Sequence, residues 1–134
     1  MSVYVDTSAL YAVLDADDAH HTAARQVWTD LLTEDADLVC TNYVLVETFA
    51  LVQHRLGIAA VRVLQEDVLP IVRVEWVTAE HHAAAVAALL TAARPQLSLV
   101  DCTSFEVMRR LGIRTAFALD GHFADQGFEC LPPA

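Results

Sequence analysis

Four acidic residues lie next to apolar runs in this sequence: Asp6, Glu47, Asp101 and Asp120. A carboxylate among apolar neighbours is costly to bury unless a cation or hydrogen bonds compensate its charge. The chain contains no lysine, and no arginine lies within five residues of Asp6, Glu47 or Asp120. Mg²⁺ or Mn²⁺ would compensate such carboxylates, because both ions prefer oxygen ligands. A bound ion of this kind can activate water and stabilise a phosphoryl transition state.

Three of these acids also have an ordinary structural interpretation. Asp6 precedes Thr7 and Ser8, so it could simply cap a helix. Asp101 is expected near a helix start, where the helix dipole favours a negative charge. Asp120 precedes a glycine and could belong to a turn. Glu47 has no capping explanation, because it is expected inside a helix. The four acids together are therefore more informative than any single one.

Acids this far apart in the sequence meet only if the fold brings them together. Short apolar runs alternate along the chain with segments of helical periodicity, and this alternation predicts such a fold. Strands are predicted at about 3–5, 38–40, 71–74, 115–119 and 129–131, and helices at about 7–14, 20–32, 42–56, 58–67, 78–93 and 98–110. Strands that alternate with helices predict a parallel sheet with helices on both faces. Ligands of such sheets bind beyond the carboxyl ends of the strands, where Asp6 and Asp120 are expected.

The composition predicts a single domain over residues 1–134. Hydrophobic residues make up 55% of the chain, which argues against disorder. Mean hydropathy is positive, at +0.38. The longest strongly apolar stretch, residues 83–90, is nevertheless too short to cross a bilayer, and the chain start carries no secretion signal. We therefore expect no membrane association and a cytoplasmic location.

Charge and cysteine content exclude several classes of site. The net charge is −10, so the chain is a poor non-specific ligand for nucleic acid. The absence of lysine excludes a P-loop and Schiff-base chemistry. Three cysteines without C-x-x-C spacing argue against a disulfide framework or a structural zinc site. Any polyanionic substrate would have to be bound locally, with help from a metal ion.

Several segments of the sequence resemble the PIN-domain family, and in particular its VapC-type toxin branch. The segments that carry the resemblance are Val5-Asp6-Thr7-Ser8-Ala9-Leu10, Asn42-Tyr43-Val44-Leu45-Val46-Glu47-Thr48, Leu97-Ser98-Leu99-Val100-Asp101-Cys102-Thr103-Ser104, Ala118-Leu119-Asp120-Gly121-His122-Phe123 and Gly127-Phe128. The resemblance implies a three-layer α/β domain with a parallel sheet of about five strands flanked by helices. It also implies a metal-dependent endoribonuclease, usually homodimeric and inactive while bound to a cognate antitoxin.

The same resemblance implies roles for individual residues. Asp6, Glu47, Asp101 and Asp120 would form the acidic quartet that binds Mg²⁺ or Mn²⁺ and carries catalysis. Thr7 or Ser8 and Thr103 or Ser104 would orient ligands or phosphate. Two positions depart from many relatives, since Ala118 replaces a hydroxyl residue and Gly121 replaces a basic one. Asp125 could share the role of Asp120 or replace it.

The arginines supply the candidate contacts to RNA phosphates. We consider Arg109, Arg110 and Arg114 first, and Arg25 second. Each could equally be a solvated helix residue that interacts with the helix dipole. The aromatic residues Trp28, Trp76, Phe49 and Phe105 are expected in the core. One of them could instead stack on a base, but the sequence does not indicate which.

Other functions remain open. A nucleophile triad of His122 with Cys102 or Ser104 lacks the glycine pattern of a nucleophile elbow. Phosphotransfer on an aspartate would need a lysine that the chain lacks. A third alternative is a catalytically silent PIN-like module that binds a basic partner through its acidic edge. The helices near 43–56 and 78–93 are apolar on more than one face, and could contact a second copy or the antitoxin.

Overall fold

A single parallel sheet forms the centre of the computed structural model, which describes residues 1–133. Its strand order is β3-β2-β1-β4-β5, and every neighbouring pair is parallel. The strands are β1 (Ser2–Val5), β2 (Asp37–Thr41), β3 (Val72–Glu75), β4 (Thr115–Phe117) and β5 (Glu129–Leu131). Helices connect the strands and flank the sheet, so the predicted α/β class and five-stranded sheet are confirmed.

Most helices begin and end where the sequence predicts. The α-helices are α1 (Thr7–Leu14), α2 (His21–Thr33), α3 (Asn42–Leu56), α4 (Ile58–Val63), α5 (Ala79–Ala92), α6 (Leu99–Leu111) and α7 (His122–Asp125). The hydroxyls of Thr41, Thr78 and Ser98 cap α3, α5 and α6 by accepting backbone N–H bonds. Gly112 ends α6 in the left-handed conformation, at a φ of 69° that glycine adopts without strain.

Three elements differ from the prediction. The helix expected over 58–67 is regular only to Val63, and continues as a π-helical turn (Leu64–Val68) and a 3₁₀ turn (Leu69–Ile71). Strand β4 ends at Phe117 rather than at position 119, so Asp120 lies in the following turn. The short helix α7 was not predicted, because its four residues are too few to show helical periodicity.

The core lies between the sheet and the helices. Val3, Tyr4 and Val5 of the central strand β1 are fully buried, as parallel strands covered on both faces must be. Phe105 is buried as predicted, and Trp28 packs partly buried against the core. Trp76 contradicts the prediction: it is 69% exposed, because β3 has ended one residue earlier. Within residues 1–133, no helix is both long and apolar enough to span a membrane.

Strand register aligns the carboxyl ends of three strands. Tyr4 pairs with Val39, and Thr41 pairs with Glu75. Continuing the first pairing by two residues brings Asp6 level with Thr41, so Asp6, Thr41 and Glu75 form one row across β1, β2 and β3. The backbone N–H of Asp6 donates to the carbonyl of Phe117, the last residue of β4 (3.0 Å). The carboxyl edge of the sheet therefore holds the segments that the sequence singled out.

Candidate active site

Asp6 lies at the junction of β1 and α1 and is only 3% exposed. Its Oδ2 accepts hydrogen bonds from the Ser8 hydroxyl (2.7 Å) and the Ser8 backbone N–H (3.2 Å). The second bond is an N-cap, so the ordinary structural interpretation of this residue is correct. Capping leaves the carboxyl group itself buried, however, so it does not exclude a chemical role.

Burial is the main reason that the pKa of Asp6 rises to about 7. The bonds from Ser8 oppose this rise, whereas the negative charges of Asp120 and Asp101 add to it. The fold thus places Asp6, Asp101 and Asp120 within range of one another's charge, despite their separation in the sequence.

Asp120 is half-buried in the turn between β4 and α7. Burial is also the largest cause that raises the pKa of Asp120, and the charge of Asp101 raises it further. The His122 backbone N–H, which donates to Asp120 Oδ1 (3.0 Å), acts in the opposite direction. This bond fixes the carboxylate in its turn.

Asp101 lies in the first turn of α6 and forms a capping box with Ser98. The Ser98 N–H donates to Asp101 Oδ2 (3.1 Å), and the Asp101 N–H donates to Ser98 Oγ (3.0 Å). The capping interpretation therefore holds for this acid too. The box also fixes the carboxylate at the start of α6, from where its charge acts on Asp6 and Asp120.

Glu47 differs from the other three acids because it is exposed. Its apolar neighbours in the sequence do not bury it. Helix α3 buries Val44, Thr48 and Val52 at four-residue spacing, so Glu47 falls outside the buried stripe, next to Val46, which is 71% exposed. Its place in the candidate site remains a prediction.

Oxygen ligands dominate this edge of the sheet, which suits Mg²⁺ or Mn²⁺ better than zinc. No ion pair between residues 1 and 133 involves Asp6, Asp101 or Asp120, so no side chain there neutralises the buried charge of Asp6. In the same range, no three histidine, cysteine, aspartate or glutamate side chains are arranged to hold a metal ion directly. Mg²⁺ commonly keeps several waters and uses one or two carboxylates, so the residues present fit a water-rich site.

Ser8 is the candidate hydroxyl residue that contacts an acid directly. Its Oγ donates to Asp6 and accepts the Leu119 backbone N–H (3.0 Å) from the segment that leads to Asp120. The sequence indicated Ser8 or Thr7 as alternatives, and no sequence signal pointed to Leu119. This one hydroxyl therefore joins β1, α1 and the turn of Asp120.

The other three hydroxyl candidates are buried and used within the fold. Thr7 donates to the Val44 carbonyl (3.3 Å), and Thr103 donates to the Leu99 carbonyl (2.7 Å). Ser104 is bonded to the Tyr4 hydroxyl (2.6 Å). These bonds hold α1, α3 and α6 in place beneath the acids.

Neither Asp125 nor the nucleophile candidate Cys102 has a position that supports a role in the site. Asp125 is exposed on α7 and is not among the groups that shift the pKa of Asp6 or Asp120. Burial raises the pKa of the Cys102 thiol, and the charge of Asp101 raises it further, which disfavours a thiolate.

A groove at the carboxyl edge is lined by His20 together with Leu119, Asp120 and Cys130. Sequence reasoning missed this proximity of His20 to Asp120.

Most arginine candidates for RNA contact lie far from these acids. Arg109 and Arg110 are in the last turn of α6, about 12 Å along the helix from Asp101. Arg109 bonds to Gln126 and stacks on Phe128. In addition, Arg110 pairs with Glu106 and Glu80. Arg114 precedes β4 and so lies at the amino-terminal edge of the sheet, opposite the acids.

Two arginines lie closer to the carboxyl edge. Neither of them forms a side-chain hydrogen bond or an ion pair within residues 1–133. Arg25 lies in the second turn of α2, the helix that begins just after the groove residue His20. Arg94 was not singled out from the sequence. Its carbonyl accepts the Leu97 N–H (3.1 Å) in a turn that leads directly into the capping box of Ser98 and Asp101.

Comparison with known proteins shows which family the chain resembles. The family model for the PIN domain matches residues 3–129. The 23S rRNA-specific endonuclease VapC20 of Mycobacterium tuberculosis is 39% identical over 127 residues, which cover 94% of this chain and 95% of that protein.

Solved structures give the same result for the fold. The crystal structure of M. tuberculosis VapC20, described as a sarcin-ricin loop cleaving toxin, superposes with a TM-score of 0.85 at 38% identity and covers 94% of this chain and 95% of that one. FitAcB from Neisseria gonorrhoeae has a TM-score of 0.69 at 16% identity, covering 99% and 98% of the two chains. VapBC2 from Rickettsia felis, bound to a promoter DNA fragment, has a TM-score of 0.71 at 11% identity and covers 97% of each chain.

Proposed function

Because the chain belongs to the PIN-domain family, we propose that it is a metal-dependent endoribonuclease and the toxin of a toxin–antitoxin pair. One structural observation carries the proposal. Asp6 is almost completely buried, its neighbours Asp101 and Asp120 add negative charge, and no ion pair within residues 1–133 offsets that charge. Helix capping accounts for Asp6 and Asp101 one at a time, but it does not account for their crowding with Asp120, because crowded carboxylates destabilise one another. A divalent cation would relieve this cost and supply the charge that phosphodiester hydrolysis needs.

Asp6, Asp101 and Asp120 would hold the ion, partly through bound waters, with Glu47 supporting them from α3. When bound, Mg²⁺ or Mn²⁺ lowers the pKa of a coordinated water and stabilises the charge that develops on the phosphoryl oxygens. The side chains of this chain provide position: Ser8 fixes the Asp6 carboxylate, Ser98 fixes Asp101, and the His122 N–H fixes Asp120. Such preorganisation avoids a reorganisation cost at the moment of reaction.

The substrate we propose is an exposed loop of RNA, because loops present unpaired bases and accessible phosphates. The 39% identical relative is specific for 23S rRNA, and its crystal structure is described as that of a sarcin-ricin loop cleaving toxin. A loop of ribosomal RNA is therefore the first substrate to test. Arg25 and Arg94 are the proposed phosphate contacts, because each lies near the edge that carries the acids.

A cognate antitoxin is the proposed protein partner, and a homodimer is the proposed assembly. Helices α3 and α5 expose apolar side chains on their outer faces, including Val46 (71% exposed) and Leu90 (73% exposed). Exposed apolar surface of this kind is typical of interaction sites. The acidic charge of the chain would also attract a basic antitoxin segment.

The experiment that tests the function is RNA cleavage by purified protein freed of any antitoxin. We expect cleavage of ribosomal RNA with Mg²⁺ or Mn²⁺, and loss of cleavage when EDTA is added and recovery when the metal is restored. Asp101→Asn is the matched control, because it keeps the size of the side chain and removes its charge. Metal-independent cleavage would overturn the proposal. Absence of cleavage by a folded protein with either ion would instead favour the silent binding module.

A further inference from the structure

Trp76 is the largest side chain among the exposed apolar residues between positions 1 and 133. The chain contains two tryptophans, and the other one, Trp28, packs against the core. An indole that remains 69% exposed leaves a large apolar surface in water, which favours its burial against some ligand. The fold itself does not use this surface.

The position of Trp76 relates it to the acids. Trp76 directly follows Glu75, which ends β3 and pairs with Thr41 at the end of β2. Asp6 follows the end of β1, the next strand in the sheet. Two strand spacings therefore separate the backbone of Trp76 from that of Asp6, or about 10 Å across the sheet. Both residues lie at the carboxyl edge.

The backbone around Trp76 is fixed on both sides. Asn42 Oδ1 accepts the Val77 N–H (2.7 Å), which ties this segment to the start of α3. Thr78 caps α5 by accepting the His81 N–H (3.1 Å). The indole is thus held on an ordered segment rather than on a flexible loop, so a ligand that packs against it would lose little additional entropy.

We propose that Trp76 stacks on a base of the RNA substrate near the phosphodiester that is cleaved; this inference rests on the proposed nuclease function. Stacking on an aromatic ring needs no positive charge and tolerates any base. This matters in a chain with a net charge of −10 whose arginines at positions 109, 110 and 114 lie away from the acids. Stacking gives such a protein a means of holding single-stranded RNA in addition to the two proposed phosphate contacts, Arg25 and Arg94.

The test measures binding of a short single-stranded oligoribonucleotide to protein carrying Asp101→Asn, so that the RNA is not cut. We expect Trp76→Ala to raise the Kd by about 5- to 100-fold, as base stacking on aromatic side chains does elsewhere, while Trp76→Phe retains part of the affinity. The matched control is Ile58→Ala, which removes an apolar side chain of α4 that is 60% exposed. It is expected to leave the Kd unchanged.

A second measurement reports on Trp76 directly. With Trp28→Phe, the tryptophan fluorescence of the protein, excited selectively over that of its tyrosines, comes from Trp76 alone, and the oligonucleotide is expected to quench it. Replacing one base of the oligonucleotide by an abasic site should weaken binding to the Trp76 protein but not to Trp76→Ala. An unchanged Kd in Trp76→Ala would overturn the inference, as would indole emission that shifts with protein concentration alone, since a second copy would then cover the ring. Failure of the nuclease function would appear separately, as absence of RNA cleavage by the unmodified protein.

Discussion

The hydroxyl of Ser8 lies 2.7 Å from the Asp6 carboxylate, to which it donates a hydrogen bond. The same oxygen accepts the N–H of Leu119 at 3.0 Å. Leu119 directly precedes Asp120 and lies 111 residues after Ser8 in the sequence. The Ser8 hydroxyl therefore contacts both the Asp6 carboxylate and the segment that carries Asp120. The relative position of Asp6 and Asp120 thus depends on a side chain that need not touch the substrate.

Replacement of Ser8 by alanine is expected to lower kcat for RNA cleavage by about tenfold or more, since small displacements of catalytic groups are costly. KM should change little, because Ser8 is not a proposed RNA contact. Ser8→Thr keeps a hydroxyl and should restore most of the rate. Steady-state kinetics with Mg²⁺ measures both quantities. Equal losses in the alanine and threonine variants would show that size, rather than the hydrogen bond, matters at this position.

Asp6→Asn and Asp101→Asn are each expected to reduce cleavage by at least about 100-fold, while the folded protein becomes no less stable. Each change removes one charge from an acidic cluster that has no ion pair within residues 1–133, and the new amide oxygen can still accept the capping N–H. Cleavage assays test the loss of activity, and thermal melts in metal-free buffer test the stability of the folded protein. A fall in Tm of several degrees would show that the carboxylates stabilise the fold.

The elements that position the acids follow from local sequence signals. Helices were predicted at about 42–56 and 98–110, and the structure has them at Asn42–Leu56 and Leu99–Leu111, each begun by a hydroxyl cap and ended by a glycine. Hydrophobic periodicity does not report the exact end of a strand, so β4 is shorter and Trp76 more exposed than expected. The convergence of Ser8, Leu119 and Asp6 involves contacts between distant segments, which one sequence cannot reveal.

Metal-free stability is expected to fall as the pH rises from about 4 to 7. Burial raises the pKa of Asp6 from 3.8 to about 7, and the pKa of Asp120 is raised as well. The folded state therefore binds more protons than the unfolded chain in this window, so each rise in pH favours unfolding. The contribution of Asp6 is at most about 4 kcal/mol.

Urea unfolding at several pH values, with EDTA present, measures this dependence. Since other groups also titrate, the quantity to examine is the difference between the unmodified protein and Asp6→Asn, which should grow as the pH rises. Added Mg²⁺ should reduce this difference, because a ligand that binds only the folded state stabilises it. A difference that stays constant with pH would mean that Asp6 is already ionised near pH 4.

Arg94 and Arg25 are expected to contribute to RNA affinity, whereas Arg114 is not. The turn of Arg94 leads into the capping box of Asp101, and α2 with Arg25 begins beside the groove of Asp120. Arg114 is also exposed, but it precedes β4 at the opposite edge of the sheet, which makes Arg114→Ala a matched control for the loss of one charge. Binding of single-stranded RNA to Asp101→Asn protein at increasing salt distinguishes these positions. A lost phosphate contact should lower the slope of log K against log salt by about 0.7 for single-stranded nucleic acid. If Arg114→Ala changed the slope as much as Arg94→Ala, RNA would follow a path across the amino-terminal edge rather than past the acids.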